Sequence, residues 1–164
     1  MGRDTTLVTT LCTACPHGAS GCCVVPPRLA LADIARIVSH GGRDWLLGEI
    51  SAGRVVLHAA WMIVTRTGAC VYLGNRGCTI AHEKRPATCN FYVCESALDA
   101  GGESAAAARA ARDQQERDYA RWDSELATRA HARTPDGLTF DAATLDFLAS
   151  ELARMDALDP KIAS

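Results

Sequence analysis

The sequence predicts a mostly α protein with a small β element, in which an irregular cysteine-rich module packs with an antiparallel pair of helices. Three observations predict this α+β class: apolar residues at helical spacing, a stretch rich in β-branched and aromatic residues, and eight cysteines confined to residues 12–94. A chain of 164 residues matches one ordinary domain. We therefore expect a single domain over residues 1–164, with a C-terminal helical extension at 103–158.

The first predicted helix follows Pro26-Pro27 and covers about residues 29–40. Four apolar residues there recur at helical spacing: Leu31, Ile34, Ile37 and Val38. The Gly41-Gly42 pair supplies a stop, because glycine tolerates the left-handed conformation of a helix C-cap. Residues 44–51 predict a second, short helix.

The stretch after these helices favours short strands. Val55–Leu57, Trp61–Thr65 and Cys70–Leu73 are rich in β-branched and aromatic types, and turn residues such as Gly68 separate them. We expect two or three strands in a small antiparallel sheet or hairpin.

Two helices are predicted in the C-terminal extension. Nearly every residue from 103 to 133 favours helix, and acid-before-base pairs such as Glu125 and Arg129 lie four residues apart. In this first predicted helix the larger apolar residues form one stripe, which comprises Tyr119, Trp122, Leu126 and Ala130. After a turn, Asp141 can cap a last helix. The predicted buried face of that helix comprises Leu145, Leu148, Leu152 and Met155. A partner-binding role for either stripe is the alternative to core packing.

The chemistry-bearing residues are the cysteines. They form two groups, the first Cys12, Cys15, Cys22 and Cys23, the second Cys70, Cys78, Cys89 and Cys94. The chain shows no apolar segment of signal-peptide length and no run of 18 apolar residues, so we expect a cytoplasmic protein without a membrane partner. In a reducing compartment clustered cysteines favour metal or redox sites over disulfides. Inert buried cysteines and disulfides stay as alternatives.

All eight cysteines are therefore the predicted metal-ligating residues. The Cys12-x2-Cys15 step lets two thiolates reach one ion, whereas the second group lacks the repeated C-x2-C of a zinc ribbon. Four-thiolate coordination suits an iron–sulfur cluster or zinc, and ligand softness does not choose between them. No catalytic residue is predicted.

Charge is distributed unevenly along the chain. The formal net charge of −2 does not decide for or against nucleic acid, and no such partner is evident. Residues 1–94 carry more Lys and Arg than Asp and Glu, and residues 95–164 the reverse. Basic residues could offset the negative charge of metal-bound thiolates, although ordinary scatter explains the surplus equally well. Arg85, held extended by Pro86, could pair with such a cluster or be an exposed residue before a turn.

Several short motifs together carry a family resemblance. They are the opening Cys-x2-Cys followed by Cys22-Cys23, Val25-Pro26 before a helix containing Asp33, Gly68-x-Cys70-x-Tyr72-Leu73, Gly77-Cys78-Thr79-Ile80, Arg85-Pro86-x-x-Cys89 and Phe91-x-x-Cys94. Over residues 12–94 the chain resembles the CxxCxxCC family of zinc- or iron-chelating, YkgJ-like cysteine-cluster proteins. The resemblance implies that the eight cysteines bind iron, as an iron–sulfur cluster, or zinc. Six residues separate Cys15 from Cys22 here instead of two, and Asn90 stands where the family often has Arg.

Three functions are compatible with these observations. The leading hypothesis is a cytoplasmic metal-binding protein holding an iron–sulfur cluster for redox, sensing or metal handling. The second is a structural zinc module whose helical tail binds a protein partner. The third is a metal-dependent enzyme or methyltransferase-associated protein, because some members of the resembled family are similar to flagellin lysine methylases. No nucleotide-binding or catalytic-triad motif supports the third.

Overall fold

The computed structural model describes residues 27–58, 60–63, 65–66, 68–75, 77–91 and 104–158. Within these residues the chain is mostly helical with a few short strands, which confirms the predicted fold class. The helices are α1 (Leu31–Ser39), α2 (Arg43–Ser51), α3 (Ala87–Phe91), α4 (Ser104–Arg133) and α5 (Ala142–Leu158). The strands are β1 (Arg28–Leu29), β2 (Val55–His58), β3 (Ala60–Ile63), β4 (Thr65–Arg66), β5 (Ala69–Cys70), β6 (Leu73–Gly74) and β7 (Gly77–Cys78).

The first two helices form where the apolar spacing predicts them. Helix α1 begins at Leu31 and not at residue 29, because Arg28 and Leu29 form β1 and pair with β3. It ends at Ser39, and Gly41 just beyond the cap has a φ of +77°, the left-handed conformation that glycine adopts without a steric penalty. The Gly41 N–H donates to the Val38 carbonyl at 2.9 Å and closes the helix.

The strands form three small antiparallel sheets. The largest has the order β1-β3-β2, with Val55 opposite Ile63 and Arg28 opposite Met62. The pairs β4-β5 and β6-β7 are separate two-stranded ladders. The predicted continuous strand Cys70–Leu73 is therefore wrong: a turn at Val71 and Tyr72 divides it into β5 and β6.

The two C-terminal helices are antiparallel, as predicted. Arg129 of α4 pairs with Glu151 of α5. Arg133 lies one turn further along α4, and it contacts the ring of Phe147, which lies one turn before Glu151 in α5. The two helices therefore run in opposite directions. The Asp141 carboxylate caps α5 by accepting the Thr144 N–H at 2.8 Å. Both predicted apolar stripes are buried, with Leu126, Leu145 and Leu148 at 0% exposure.

One hydrophobic core joins the N-terminal and C-terminal halves of the described chain. Helix α5 packs more extensively against α1 than against α4, so α1 completes the helical pair to form a three-helix core. Ile34 and Ile37 of α1 meet the leucines of α5 in this core. The same helix α1 binds the segment from Glu83 to Ala87, which leads to Cys89.

Candidate metal centre

Three of the eight predicted ligands lie in the part of the chain that the structure describes. Cys70 ends β5, Cys78 ends β7 and Cys89 lies in α3, and the side chains of all three are half-buried. Cys12, Cys15, Cys22, Cys23 and Cys94 lie outside the described residues. The structure can therefore be described only around these three members of the second group of cysteines.

Cys70 and Cys78 flank a compact turn that contains the β6-β7 ladder. Leu73 is opposite Cys78 in the β6-β7 ladder, and the Tyr72 carbonyl accepts the Thr79 N–H at 2.8 Å. Burial raises the pKa of the Cys70 thiol; a hydrogen bond from the Tyr72 backbone opposes this rise, and the charge of Cys78 adds a smaller increase.

A carboxylate on α2 holds the turn between these two cysteines. Glu49 is buried and accepts a hydrogen bond from the Tyr72 hydroxyl. Arg54 completes the group, with its Nε and Nη2 donating to the two Glu49 oxygens at 2.5 and 2.9 Å. The Arg54 hydrogen bond lowers the pKa of Glu49, whereas burial and the Glu49 contact raise the pKa of Tyr72. The phenol therefore stays protonated and keeps donating to Glu49.

Helix α1 holds the segment that leads from Cys78 to Cys89. Arg36 donates from Nη1 to the Glu83 carbonyl at 2.7 Å and from Nη2 to the Arg85 carbonyl. Asp33 accepts the Ala87 N–H at 2.6 Å with one carboxylate oxygen and the Ala30 N–H at 3.0 Å with the other. One carboxylate thus caps both α1 and α3, the short helix that carries Cys89.

Arg85 is a buried cation that lies between Cys78 and Cys89 in the sequence. Its backbone is extended (φ −77°, ψ 147°), as expected before Pro86, but its side chain is only 4% exposed. Nε donates to the Ile80 carbonyl at 2.8 Å and Nη2 approaches the Cys78 carbonyl at 3.5 Å, while the buried Nη1 has no hydrogen-bond partner. The alternative of an exposed Arg before a turn is therefore wrong.

The donor set fits a thiophilic metal, although the described residues do not complete a site. Among them, no three His, Cys, Asp or Glu side chains are grouped so as to hold an ion. Sulfur ligands suit zinc or iron–sulfur clusters, and a thiol whose pKa is raised by burial loses its proton when a metal binds. Cys70 and Cys78 can supply two such ligands, and the other predicted ligands are Cys89 and the cysteines beyond the described ranges.

Sequence reasoning missed the polar groups that position these cysteines. Asp33, Arg36 and Glu49 are buried on α1 and α2. From the sequence, Asp33 is singled out only within the family resemblance, and Arg36 and Glu49 are not singled out. One signal was present: Asp33 lies three residues after Ala30, the spacing at which an acidic side chain reaches back to the N-cap amide. Its second bond, to Ala87, joins residues 54 apart and has no local signal.

Comparison with protein-family models, curated proteins and solved structures finds no significant match to this chain. The resemblance to cysteine-cluster proteins therefore stays a prediction. None of the described helices combines the length and apolar character that crossing a bilayer requires.

Proposed function

We propose that this protein binds an iron–sulfur cluster through its cysteines and serves redox chemistry, sensing or metal handling. The observation that carries the proposal is the position of Cys70 and Cys78 at the ends of β5 and β7, on either side of the turn that the Tyr72–Glu49 hydrogen bond holds. Cys89 lies on a helix fixed by the same α1 residues that anchor the intervening segment.

The arrangement suits a metal better than a disulfide scaffold or inert core thiols. Neither Cys70 nor Cys78 is in a disulfide, and both are only half-buried, unlike the fully buried cysteines that serve as small apolar residues. Polar groups from α1 and α2 fix the backbone around the thiols, as the outer shell of a metal site must. A bound cluster would supply electron transfer or reversible metal capture.

The resemblance to iron- and zinc-chelating cysteine-cluster proteins favours the same function. The eight cysteines of residues 12–94 exceed the number that one four-thiolate cluster needs, so some thiols would remain unbound or serve a second site. Their spacing differs from the two C-x2-C steps of a zinc ribbon, which supports iron–sulfur over structural zinc.

Metal analysis of the full chain purified without oxygen tests the proposal. We expect brown protein that contains iron and acid-labile sulfide, with an electron paramagnetic resonance signal in one oxidation state. Colourless protein with stoichiometric zinc would overturn the iron–sulfur assignment, and protein without metal would overturn the function.

Substitution of the described cysteines identifies the ligands in the same experiment. Cys78→Ser and Cys89→Ser should each lower the iron content, because serine is a poor ligand for a cluster. Thr88→Ser is the matched control, since it places the same side chain beside Cys89 without removing a sulfur. Iron content equal to that of the wild type in both cysteine variants would show that the ligand set is wrong.

A further inference from the structure

Residues 82–90, which lead from the cysteine turn into α3, dock on α1 with few large apolar side chains. The buried side chains of this docked segment are polar or small: Arg85, Pro86, Ala87 and Asn90. The core of α1, α4 and α5 instead buries isoleucine and leucine side chains, each of which contributes more free energy through apolar burial. Parts of a protein with little buried apolar surface open at a lower free-energy cost than the core. The docked segment therefore has the composition of a locally opening unit.

Polar groups of α1 hold the backbone of the docked segment. Arg36 donates to the carbonyls of Glu83 and Arg85, and Asp33 accepts the Ala87 N–H at 2.6 Å. An arginine side chain keeps its charge at all ordinary pH values, whereas a carboxylate can take up a proton. Asp33 is therefore the contact from α1 whose charge can change with pH.

Asp33 lies in surroundings that disfavour its negative charge. The residue is 3% exposed, and the cation that faces it is Arg36, 3.9 Å away on the same helix. Asp123 of α4 brings a second carboxylate to this end of α1, where it accepts the Ala32 N–H at 3.3 Å. The docked segment faces Asp33 with the Ala87 N–H. Burial is the largest influence and raises the pKa of Asp33 to about 6, although Arg36 and the N–H groups oppose it.

Release of the docked segment gives water access to the Asp33 carboxylate. Water stabilises the charged form, so the open state holds the proton less tightly than the closed state. We propose that the docked segment opens from α1 as a local unit and that the charge on Asp33 controls this opening, with the neutral carboxyl favouring the closed state and the carboxylate the open state. This pH-sensitive device goes beyond the proposed function, because it needs no metal. As pH rises through about 6, the helix that carries Cys89 becomes easier to release.

Hydrogen exchange of single amides, measured by nuclear magnetic resonance on the full chain, tests the proposal. Each rate is divided by the rate of an unstructured peptide at the same pH, which leaves the opening equilibrium. For the Ala87 amide this equilibrium should rise about tenfold between pH 5 and pH 8, as follows from a pKa of about 6 in the closed state and 3.8 with full hydration. Low concentrations of urea should not change it, because a local opening exposes little surface. The Leu148 amide of α5 should respond strongly to urea, since its exchange requires global unfolding.

Variants identify the group that titrates. Asp33→Asn has no titratable group at this position, so the pH dependence of the Ala87 amide should disappear. His82→Gln is the matched control, because histidine also titrates near neutral pH and His82 lies in the docked segment with a half-exposed side chain. Its Ala87 amide should keep the pH dependence of the wild type.

Several results would overturn the proposal. Equal urea dependence of the Ala87 and Leu148 amides would show that the docked segment opens only when the whole chain unfolds. An opening equilibrium that is the same at pH 5 and pH 8, or an unchanged pH dependence in Asp33→Asn, would show that Asp33 does not control the opening. Loss of the pH dependence in His82→Gln would assign it to the imidazole. The wild type and His82→Gln decide the matter even if Asp33→Asn fails to fold.

Discussion

Asp33 shows how a single buried side chain can organise distant segments. Its two carboxylate oxygens accept N–H groups from Ala30 and Ala87, and Arg36 lies 3.9 Å away. Burial raises the pKa of Asp33 to about 6, even though these three neighbours favour the charged form. The carboxylate is therefore charged at neutral pH at an energetic cost, in return for capping two helices.

The raised pKa gives Asp33 a defined effect on pH-dependent stability. Between its ordinary value of 3.8 and its folded value of about 6, the folded state binds the proton more tightly than the unfolded state. This contribution is present at low pH and is lost as pH rises through 6, so the free energy of unfolding should fall by about 3 kcal/mol across that window.

Urea unfolding at several pH values measures this effect in Asp33→Asn. The amide does not titrate, so the variant should lack the decrease between pH 4 and 6, whatever its absolute stability. Asp44→Asn is the control, because the Asp44 side chain is 94% exposed and should leave the pH profile unchanged. A profile for Asp33→Asn that runs parallel to the wild type would contradict this account.

At the scale of elements, the packing of α1, α4 and α5 against one another forms the core of the described chain. Leu126 of α4 and Leu148 of α5 are completely buried, and the carboxylate of Asp123 reaches from α4 to the Ala32 N–H at the start of α1. Arg129 bridges Glu125 on its own helix and Glu151 on α5. The helices therefore meet through an apolar centre with polar contacts at its edge.

Truncation of the apolar centre should be strongly destabilising. Leu126→Ala leaves a cavity where the leucine side chain has 0% exposure, and we expect a loss of about 2–5 kcal/mol in the free energy of unfolding. Leu158→Ala removes the same atoms from a residue that is 77% exposed, and its effect should stay within about 0.5 kcal/mol. Chemical denaturation compares the two, and equal losses would show that the stripe of α4 is not part of the core.

At the scale of the whole molecule, the proposed metal centre and the helical core share helix α1. The same helix that packs on α5 holds the backbone of Glu83, Arg85 and Ala87, between two predicted ligands. A ligand that binds the folded cysteines more tightly than the unfolded chain should therefore stabilise the entire domain.

Removal of metal tests this coupling. Free metal at about 100 times its dissociation constant stabilises a fold by about 2.7 kcal/mol, so a chelator should lower the melting temperature of the wild type. The loss of the helical circular dichroism signal on heating, to which the long helices α4 and α5 contribute, measures the melting temperature. Cys78→Ser should show a smaller shift with the same chelator, whereas an unchanged melting temperature in the wild type would show that metal and core are independent.

Much of the fold was predictable because its signals are local. The spacing of Leu31, Ile34 and Ile37 predicts α1, and Asp141 marks the start of α5 through a contact three residues away. The strand over Cys70–Leu73 was predicted wrongly for the opposite reason. β-branched and aromatic composition does not reveal that Tyr72 donates to Glu49 on α2, a contact 23 residues distant that belongs to the turn.

The sequence by itself determined the fold class, the two antiparallel helices with their buried stripes, and the hypothesis of a cysteine-bound metal. Each depends on residue type and spacing within one element. Only the tertiary structure decided that α1 is the third helix of the core, that Arg85 is buried, and that Arg36 and Asp33 of α1 bind the Arg85 carbonyl and the Ala87 N–H. The physical reason is that burial and pairing of polar groups depend on which distant segments pack together, and local patterns do not contain that information.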